Sequence, residues 1–231
     1  MTIDKTAIRN AATVIILRDS ATSPCILMGQ RGAKAAFMPN KFVFPGGAVD
    51  TEDAEITLAN AIPTLCNQRL SQDCDSDLTK PLCIAAIREL WEETGLILGQ
   101  KAQWQDPPSE AWNSFAARGY IPSAEHLTFV FRAITPPGRS RRFDARFFLV
   151  DAAHLIGDID DFSAASDELS HLQWVPLHQT SELDLPFITE VVLAEIVGNL
   201  GRPDAPASVP FFKNDDESSE MLRLRGYELP Q

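Results

Sequence analysis

The first third of the chain shows the hydrophobic pattern of β-strands. Two apolar runs rich in β-branched residues, 12–18 and 25–31, are separated by a polar stretch that ends in a proline, as in two strands joined by a turn. A third short run, 41–44, stops at a Pro-Gly-Gly sequence, which interrupts regular structure. We therefore expect three strands before residue 46.

Helical spacing begins after these strands. We interpret 54–70 as one helix up to Pro63 and a second helical piece beyond it, and the polar stretch 71–80 as a loop. The clearest helix is predicted from Pro81 to Gly95, because proline is favoured in a first turn and glycine just past a helix end. Thr79 is its expected N-cap. Four apolar residues recur along it at helical spacing: Ile84, Ile87, Leu90 and Trp91.

The second half of the chain alternates between the two patterns. The predicted elements are a helix at 109–118, strands at 127–134, 146–151 and 169–175, a helix at 186–200, and strands at 209–213 and 221–229. We find no internal repeat and no linker. The expected fold class is therefore α/β, with residues 1–231 forming a single domain.

Composition and charge exclude several classes of function. Thirty-two acidic residues against 20 basic ones give a net charge of −12, which argues against a nucleic-acid partner, since phosphate contacts need a basic face. No apolar run approaches the roughly 20 residues that cross a membrane. The four cysteines lack the close pairs of a zinc site. We expect a cytoplasmic protein with no nucleic-acid or membrane partner.

Three glutamates share one face at the end of the helix predicted at 81–95. Glu89 lies about 40° from Glu93 and about 60° from Glu92 on a helical wheel. A helix C-terminus is electrostatically unfavourable for anions, and neighbouring carboxylates repel one another. Either these residues form a solvated acidic face, or a hard divalent cation such as Mg²⁺ or Mn²⁺ compensates them.

Two sequence segments resemble the two halves of the Nudix box. Residues 44–50 read Phe-Pro-Gly-Gly-Ala-Val-Asp, and residues 88–96 read Arg-Glu-Leu-Trp-Glu-Glu-Thr-Gly-Leu. In the pattern G-x5-E-x7-R-E-U-x-E-E-x-G-U, where U is aliphatic, the second segment matches every specified position. The chain is therefore identified as similar to Nudix hydrolases, through box halves at 46–53 and 88–96.

The resemblance departs from the pattern at two points. Asp53 stands where the pattern has glutamate, and the expected contribution of that acid could instead come from Glu52 or Glu55. The pattern also places arginine 14 positions after glycine, whereas Gly47 and Arg88 are 41 positions apart, which indicates 27 additional residues in a segment at about 54–80. Together with Gln30-Arg31, Phe37-Met38-Pro39 and the sequence 43–47 upstream of the insertion, this feature resembles the branch containing the peroxisomal coenzyme A diphosphatase and its bacterial relatives. Residues from about 201 to 231 would form a C-terminal extension.

The resemblance implies a fold and a set of roles. The fold would be a Nudix-type α/β/α sandwich with a mixed central sheet and a loop–helix–loop metal site. Glu89, Glu92 and Glu93 would bind Mg²⁺ or Mn²⁺, with Glu89 or Glu92 also serving as the general base. Glu168, which precedes a predicted strand, is a further candidate base or metal ligand. The residues implied to shape the motif are Gly46, Gly47, Asp53, Arg88 and Gly95.

An arginine-rich stretch follows in the second half of the chain. Five arginines and one aspartate lie within 132–146, in a protein that is otherwise acidic. Arg139, Arg141 and Arg142 are candidate ligands of a substrate phosphate, because guanidinium groups make bidentate contacts with phosphate. Alternatively, the arginines form ion pairs with acids elsewhere in the fold.

Two classes of function remain open. The first is a metal-dependent hydrolase that cleaves a nucleoside diphosphate derivative by attack of an activated water molecule. Coenzyme A or an acyl-CoA is the first candidate substrate, followed by ADP-ribose and dinucleoside polyphosphates. The second is a catalytically silent nucleotide-binding or regulatory module of the same fold, which the three retained glutamates argue against. The resemblance also implies a homodimer.

Overall fold

A mixed nine-stranded β-sheet forms the centre of the protein. The structure, a computed structural model, describes residues 7–74, 76–201, 206–215 and 218–225. In chain order the strands are β1 (Ile8–Arg18), β2 (Cys25–Arg31), β3 (Phe42–Val43), β4 (Gly46–Ala48), β5 (Gly99–Lys101), β6 (Tyr120–Pro122), β7 (Thr128–Ile134), β8 (Arg142–Asp151), β9 (Leu169–Pro176), β10 (Val209–Asn214) and β11 (Ser219–Leu224).

The strand order along the main sheet is β11-β10-β7-β8-β1-β2-β3, and β4 and β9 pair with β1 and β2. The β1–β8 and β7–β10 pairs are parallel and the other pairs are antiparallel. Strands β5 and β6 form a separate hairpin. This arrangement is the mixed α/β fold that the sequence predicts.

The helices cover both faces of the sheet. They are α1 (Thr64–Leu70), α2 (Thr79–Thr94), α3 (Asn113–Ala116) and α4 (Phe187–Asn199). Helix α2 is buried in one hydrophobic cluster, and α4 contributes Val192, Leu193 and Ile196 to the other. The result is a three-layer sandwich.

Strand β1 shows why the first apolar run is continuous. Its residues Ala12, Val14 and Ile16 face the cluster that contains α2, whereas Ile15 and Leu17 face the cluster that contains α4. Successive side chains of a strand point to opposite faces, and both faces are covered here. The strand therefore needs apolar residues at nearly every position.

Of the two helical pieces predicted within 54–70, the one beyond Pro63 is confirmed as α1 (Thr64–Leu70), whereas the one before Pro63 is wrong. A single 3₁₀ turn at Thr51–Ala54 replaces its beginning, and α1 begins only at Thr64. Between them the backbone pairs with a distant segment, since the amide of Ala59 donates to the carbonyl of Pro122 and Asn60 accepts from Ala124. Residues before a proline also disfavour the α conformation. Long-range pairing thus replaced the local helical pattern.

Other element boundaries differ by smaller amounts. Helix α2 begins at Thr79, because a 3₁₀ turn at Ser76–Leu78 leads directly into it, and Leu78 is the N-cap position instead of Thr79. The predicted strand at 221–229 appears as β11, which begins earlier and ends at Leu224; positions 226–229 lie outside the described residues. In the described part of the chain, no helix is long and apolar enough to span a membrane.

Candidate active site

The short strand β4 places two glycines against the neighbouring backbone and helix. A Cβ on Gly46 would lie 2.6 Å from the carbonyl oxygen of Ala12, and one on Gly47 would lie 2.3 Å from Glu89 Oε1. A side chain at position 46 would displace the backbone of β1, and one at position 47 would push the Glu89 carboxylate away. The two glycines therefore let β4 pair with β1 and bring its backbone against the carboxylate of Glu89.

Helix α2 ends where the acidic residues are concentrated. Gly95 terminates it with a left-handed φ of 74°, and its amide donates to the carbonyl of Trp91 at 2.8 Å. The segment 157–168, which we call the acidic loop, covers this end. The amide of Ser166 donates to the carbonyl of Glu92 at 2.7 Å, and a Cβ on Gly95 would lie 2.9 Å from that of Ala164. The loop therefore satisfies a carbonyl that the helix leaves open.

Arg88 joins the two halves of the motif. Its Nε and Nη2 each donate to one carboxylate oxygen of Asp53 at 3.0 Å, and Nη2 also donates to the carbonyl of Ala48 at 2.9 Å. Nη1 reaches Glu89 Oε1 at 2.8 Å and Glu92 Oε2 at 3.4 Å. Arg88 and Asp53 are both buried. The aspartate at the variant motif position thus makes the bidentate contact.

Glu93 is the most enclosed acid of the cluster. It is 1 % exposed, and its Oε2 accepts a 2.7 Å hydrogen bond from the amide of Gly46. Its Oε1 is buried without a hydrogen-bond partner. A buried carboxylate oxygen without a partner is costly, so the folded chain leaves one strong acceptor position unfilled at this point.

Burial and mutual repulsion raise the proton affinity of the cluster. Burial is the main cause that raises the pKa of Glu89 to about 7, although the charge of Arg88 opposes it. Burial, and then the charge of Glu89, raise the pKa of Glu93 well above its ordinary value. The pKa of Glu92 is also raised by burial. A cation bound in addition to Arg88 would offset the burial and the mutual repulsion of these carboxylates, since one arginine cannot neutralise all of them.

The donor set fits a hard divalent cation, although its side chains are not assembled around one point. Among the described residues, no group of three or more His, Cys, Asp or Glu side chains is arranged to hold a metal ion as it stands. Glu89 and Glu92 turn to Arg88 instead. Carboxylate oxygens are the ligands that Mg²⁺ and Mn²⁺ prefer, and the free Oε1 of Glu93 provides one such ligand directly.

A cleft of about 1280 Å³ opens beside this cluster. Gly46, Gly47, Glu89 and Glu168 line it. Glu168 is close enough to Glu89 and Glu93 to raise the pKa of each through charge repulsion, after the larger contribution of burial. The predicted site residues Glu89 and Glu168 therefore meet at one surface, while Glu93 lies behind it and Glu92 is not part of the lining. The basic residues that line the same cleft are Arg9, Arg31, Lys34, Lys41, Arg139 and Arg141.

The structure divides the predicted phosphate-binding arginines. Arg139 is exposed and Arg141 half-buried, and both line the cleft. Arg142 is buried, and it donates to the carbonyls of Thr135 at 3.0 Å and Asn214 at 3.2 Å. Its donors are therefore directed into the protein and not towards the cleft, which differs from the substrate-binding role predicted for it.

The remaining arginines of the stretch, Arg132 and Arg146, form ion pairs within the fold, which was the alternative interpretation of the sequence. Arg132 makes a bidentate contact with Asp144 and also donates to the carbonyls of Gln72 and Asp73. Arg146 lies 3.1 Å from the same carboxylate. Alternation along β8 directs Arg142, Asp144 and Arg146 to one buried face.

Sequence reasoning gave no functional role to Arg31. It lies at the end of β2, lines the cleft and forms a 2.8 Å ion pair with Glu168. Its neighbours in sequence carry no pattern that points to Glu168, which is 137 positions away. Sequence reasoning also assigned no site role to four apolar residues that line the cleft. They are Leu185, Phe187, Ile188 and Phe212.

Comparisons with known proteins agree with this geometry. No protein-family model matches the chain. A Caenorhabditis elegans protein with the provisional name nudix hydrolase 7 is 28 % identical over 230 residues, covering 87 % of this chain and 68 % of that protein. The crystal structure of a Nudix hydrolase from Alicyclobacillus acidocaldarius superposes with a TM-score of 0.62 and 29 % identity, covering 84 % of this chain and 92 % of that one. The chain is therefore similar in sequence and in fold to Nudix hydrolases.

Proposed function

We propose that this protein is a divalent-metal-dependent hydrolase that cleaves the diphosphate linkage of a nucleoside diphosphate derivative. The observation that carries the proposal is the carboxylate of Glu93. One of its oxygens is fixed by the amide of Gly46, and the other is buried without a partner among further acids. Such an arrangement is unfavourable in the empty protein and favourable once a cation binds.

Glu89, Glu92 and Glu93 would hold the cation. When bound, Mg²⁺ or Mn²⁺ supplies positive charge that masks the diphosphate and lowers the pKa of a coordinated water molecule. Glu93 suits a permanent ligand because it is sealed from solvent. Glu92 and Glu168 have side chains that are 37 % and 57 % exposed, so these carboxylates can exchange protons with bulk water.

The chain's own groups account for the rest of the reaction. The water oxygen bonds to one phosphorus, the bridging P–O bond breaks, and the bridging oxygen leaves with the other phosphate. The proton of the water passes to a carboxylate, for which the candidates are Glu168 and Glu89, which line the cleft, and Glu92. Gly47 keeps side-chain atoms out of the space between β4 and Glu89, and Gly46 lets β4 approach β1.

The lining of the cleft combines basic and apolar side chains, which supports a substrate with both anionic and apolar groups. Arg139 and Arg141 provide cations near the turn between β7 and β8. Phe187 is 68 % exposed and packs edge-on against Phe212, with ring centroids 6.5 Å apart. An exposed aromatic surface in a cleft suits an apolar ligand group. Coenzyme A or an acyl-CoA is therefore our first candidate, followed by ADP-ribose and dinucleoside polyphosphates.

We further propose that residues 54–80 are an insertion within one enlarged Nudix domain, which would place the chain in the branch of coenzyme A diphosphatases. This segment contains α1, which contacts β7, and the carbonyls of Gln72 and Asp73 accept from Arg132. It packs against the central sheet and does not form a separate core. The proposed domain spans residues 1–231, including the extension from about 201.

The test is a panel of diphosphate substrates with titration of Mg²⁺ and Mn²⁺. The wild-type protein should release two phosphate products from at least one member, and only in the presence of a divalent cation. Glu93→Gln should lower turnover by more than about a hundredfold, since metal ligands and even their supporting groups have effects of this order. Its far-ultraviolet circular dichroism should be unchanged.

Two results would contradict the proposal. One is hydrolysis that persists undiminished in EDTA. The other is a wild-type protein that turns over no member of the panel yet binds one tightly, which would favour the silent binding or regulatory module of the same fold.

A further inference from the structure

Helix α4 carries apolar or small residues on its outer side as well as on the side that packs against the sheet. The residues buried against the sheet are Thr189, Val192, Leu193 and Ile196. The residues on the opposite side, which lie within an arc of about 60°, are Phe187, Val191, Ala194 and Gly198. We call these four residues the outer seam. Val191 is half-buried and the other three are exposed, whereas a solvated helix face normally carries polar residues.

The spacing of the outer seam is that of a helix–helix contact. Its members follow one another at intervals of four, three and four residues. This alternation keeps a row of side chains facing a neighbouring helix and is typical of a coiled-coil seam. The outer side of α4 is therefore patterned for contact with another helix.

The packing within one chain does not explain Gly198. Among the described residues, a Cβ at this position would meet nothing within 4 Å outside the backbone of its own helix. A larger residue would thus fit in the isolated chain. Glycine is unfavourable within a helix because it loses more backbone entropy than alanine does. On an exposed helix face, its use is to admit the close approach of another group.

Other exposed apolar side chains lie beside the outer seam. Arg223 of β11 pairs with Glu195 of α4 at 3.3 Å, so Met221, two positions earlier on the strand, points to the same side of the sheet as α4. In the described part of the chain, three of the six large apolar side chains that are exposed therefore lie on this side: Phe187, Val197 and Met221. Such a concentration marks an interaction surface.

We propose that the outer seam is an interface between two copies of this chain, whose α4 helices pair antiparallel about a two-fold axis. This arrangement places Phe187, the largest member of the seam, opposite Gly198 of the partner subunit, which is the smallest. The seam is therefore complementary to itself in shape, as a two-fold interface must be. Phe187 also lines the cleft, so the pairing would bring the end of the partner's α4 to the margin of the candidate active site.

The charges of α4 favour this orientation and this occupant. Its charged residues are Glu190 and Glu195, on the two flanks of the seam. Parallel pairing would place Glu190 against Glu195 of the partner subunit on both sides of the contact, and like charges repel. Antiparallel pairing instead places apolar side chains opposite both glutamates. Because α4 contains no lysine or arginine, an anionic lipid surface suits it less well than a second copy does.

The size of the contact predicts a weak dimer. Helix α4 has 13 residues and is therefore about 20 Å long. Two helices of this length, even with Val197 and Met221 at their edges, form a smaller contact than the standard interface of about 800 Å² per partner. We therefore expect a dimer Kd in the micromolar range.

Sedimentation velocity of the full chain between about 1 and 100 µM measures this Kd. The wild-type protein should change from one copy to two over that range. Ala194→Glu should weaken the dimer about a hundredfold, because it brings two like charges together at the centre of the seam. Ala117→Glu is the matched control, since it places the same charge on an exposed alanine at the end of α3, and it should keep the wild-type Kd.

A second pair of variants tests the antiparallel register. Gly198→Leu should weaken the dimer by about tenfold or more, because the new side chain meets Phe187 of the partner subunit. It should not lower the melting temperature of the monomer, since the position is open in the isolated chain. Adding Phe187→Ala should restore part of the affinity by making room for the leucine. In a parallel dimer position 187 faces itself, and the second substitution gives no rescue.

Four results would overturn the inference. They are a wild-type protein that stays monomeric over the whole range, a dimer that Ala194→Glu leaves intact, equal weakening by Ala194→Glu and Ala117→Glu, and the absence of rescue in the double variant. A monomeric wild type that binds phosphatidylcholine vesicles would assign the seam to a lipid surface instead. These measurements need neither substrate nor metal, so they remain decisive if the proposed function fails.

Discussion

Two charge clusters, each with a buried centre, differ in the sign of their excess charge. The first surrounds Arg88 and contains an excess of acids: Asp50, Asp53, Glu89, Glu92 and Glu93. The second surrounds Asp144 and contains an excess of bases: Arg132, Arg142 and Arg146. In each cluster one residue of the minority charge makes the direct ion pairs with its neighbours: Arg88 in the first and Asp144 in the second.

The clusters differ in how their remaining polar atoms are satisfied. In the basic cluster, backbone carbonyls of Gln72, Asp73, Thr135, Asp144 and Asn214 accept from the arginines. In the acidic cluster, Oε1 of the innermost acid has no partner. A protein can supply carbonyls to arginine from its own backbone, but a carboxylate needs donors or cations. The backbone thus satisfies most donors of the basic cluster, although Arg146 Nε is buried without a partner, whereas the open acceptor of the acidic cluster suits a cation.

The largest expected effect comes from neutralising one acid in each cluster. Asp144→Asn leaves Arg132 and Arg146 buried without a counter-ion, which should cost about 3–5 kcal/mol of unfolding free energy. Glu93→Gln removes a buried charge but keeps an acceptor for the amide of Gly46, so it should stabilise the cation-free protein by on the order of 1 kcal/mol. Urea unfolding in EDTA measures both. Destabilisation by both variants to the same extent would remove the distinction between the clusters.

A smaller effect is expected of pH on the free energy of unfolding of the cation-free protein. The pKa of Glu89 is raised to about 7 from 4.5, so the folded state binds this proton more tightly than the unfolded state does. The resulting stability is fully present below about pH 4.5 and is lost as pH rises through about 7. Cation-free protein should therefore lose stability between pH 5 and pH 8 more steeply than Glu89→Gln does, as measured by the unfolding midpoint. Parallel profiles for the two proteins would contradict the assignment.

The smallest expected effects, on KM and on the melting temperature, distinguish Arg142 of β8 from Arg141 of the adjoining turn. Arg141→Ala should raise KM severalfold and leave the melting temperature unchanged, because Arg141 lines the cleft. Arg142→Ala should lower the melting temperature, since buried carbonyls lose a donor, and should leave KM unchanged. The reverse result would return Arg142 to the substrate-binding role that the sequence suggests.

The regular elements could be predicted well from local pattern. Strands β1 and β2 and helix α4 follow continuous or periodic apolar positions, and Gly95 marks the end of α2. The segment between Ala54 and Thr64 could not be predicted, because its backbone pairs with residues near Pro122 that are distant in sequence. Local spacing carries no information about such pairing.

The candidate site was predictable as a list of residues and less so as an arrangement. The motif places Glu89, Glu92 and Glu93 on one helical face without a structure. Nothing in the sequence distinguishes Arg141 from Arg142, because their roles depend on which of two neighbouring side chains points into the sheet. The pairing of Arg31 with Glu168 likewise arises only when β2 and the acidic loop meet.

The contacts of Arg132 with the carbonyls of Gln72 and Asp73 constrain any attempt to shorten the chain. An engineer who deleted the segment between the two motif halves, to recover a minimal enzyme, would remove the two backbone acceptors on which a buried guanidinium depends. Such a truncation would also require a substitution of Arg132. Asp144 would then have to be changed as well, because its carboxylate pairs with Arg132. The length of this segment and the buried charges of Arg132 and Asp144 therefore cannot be changed independently.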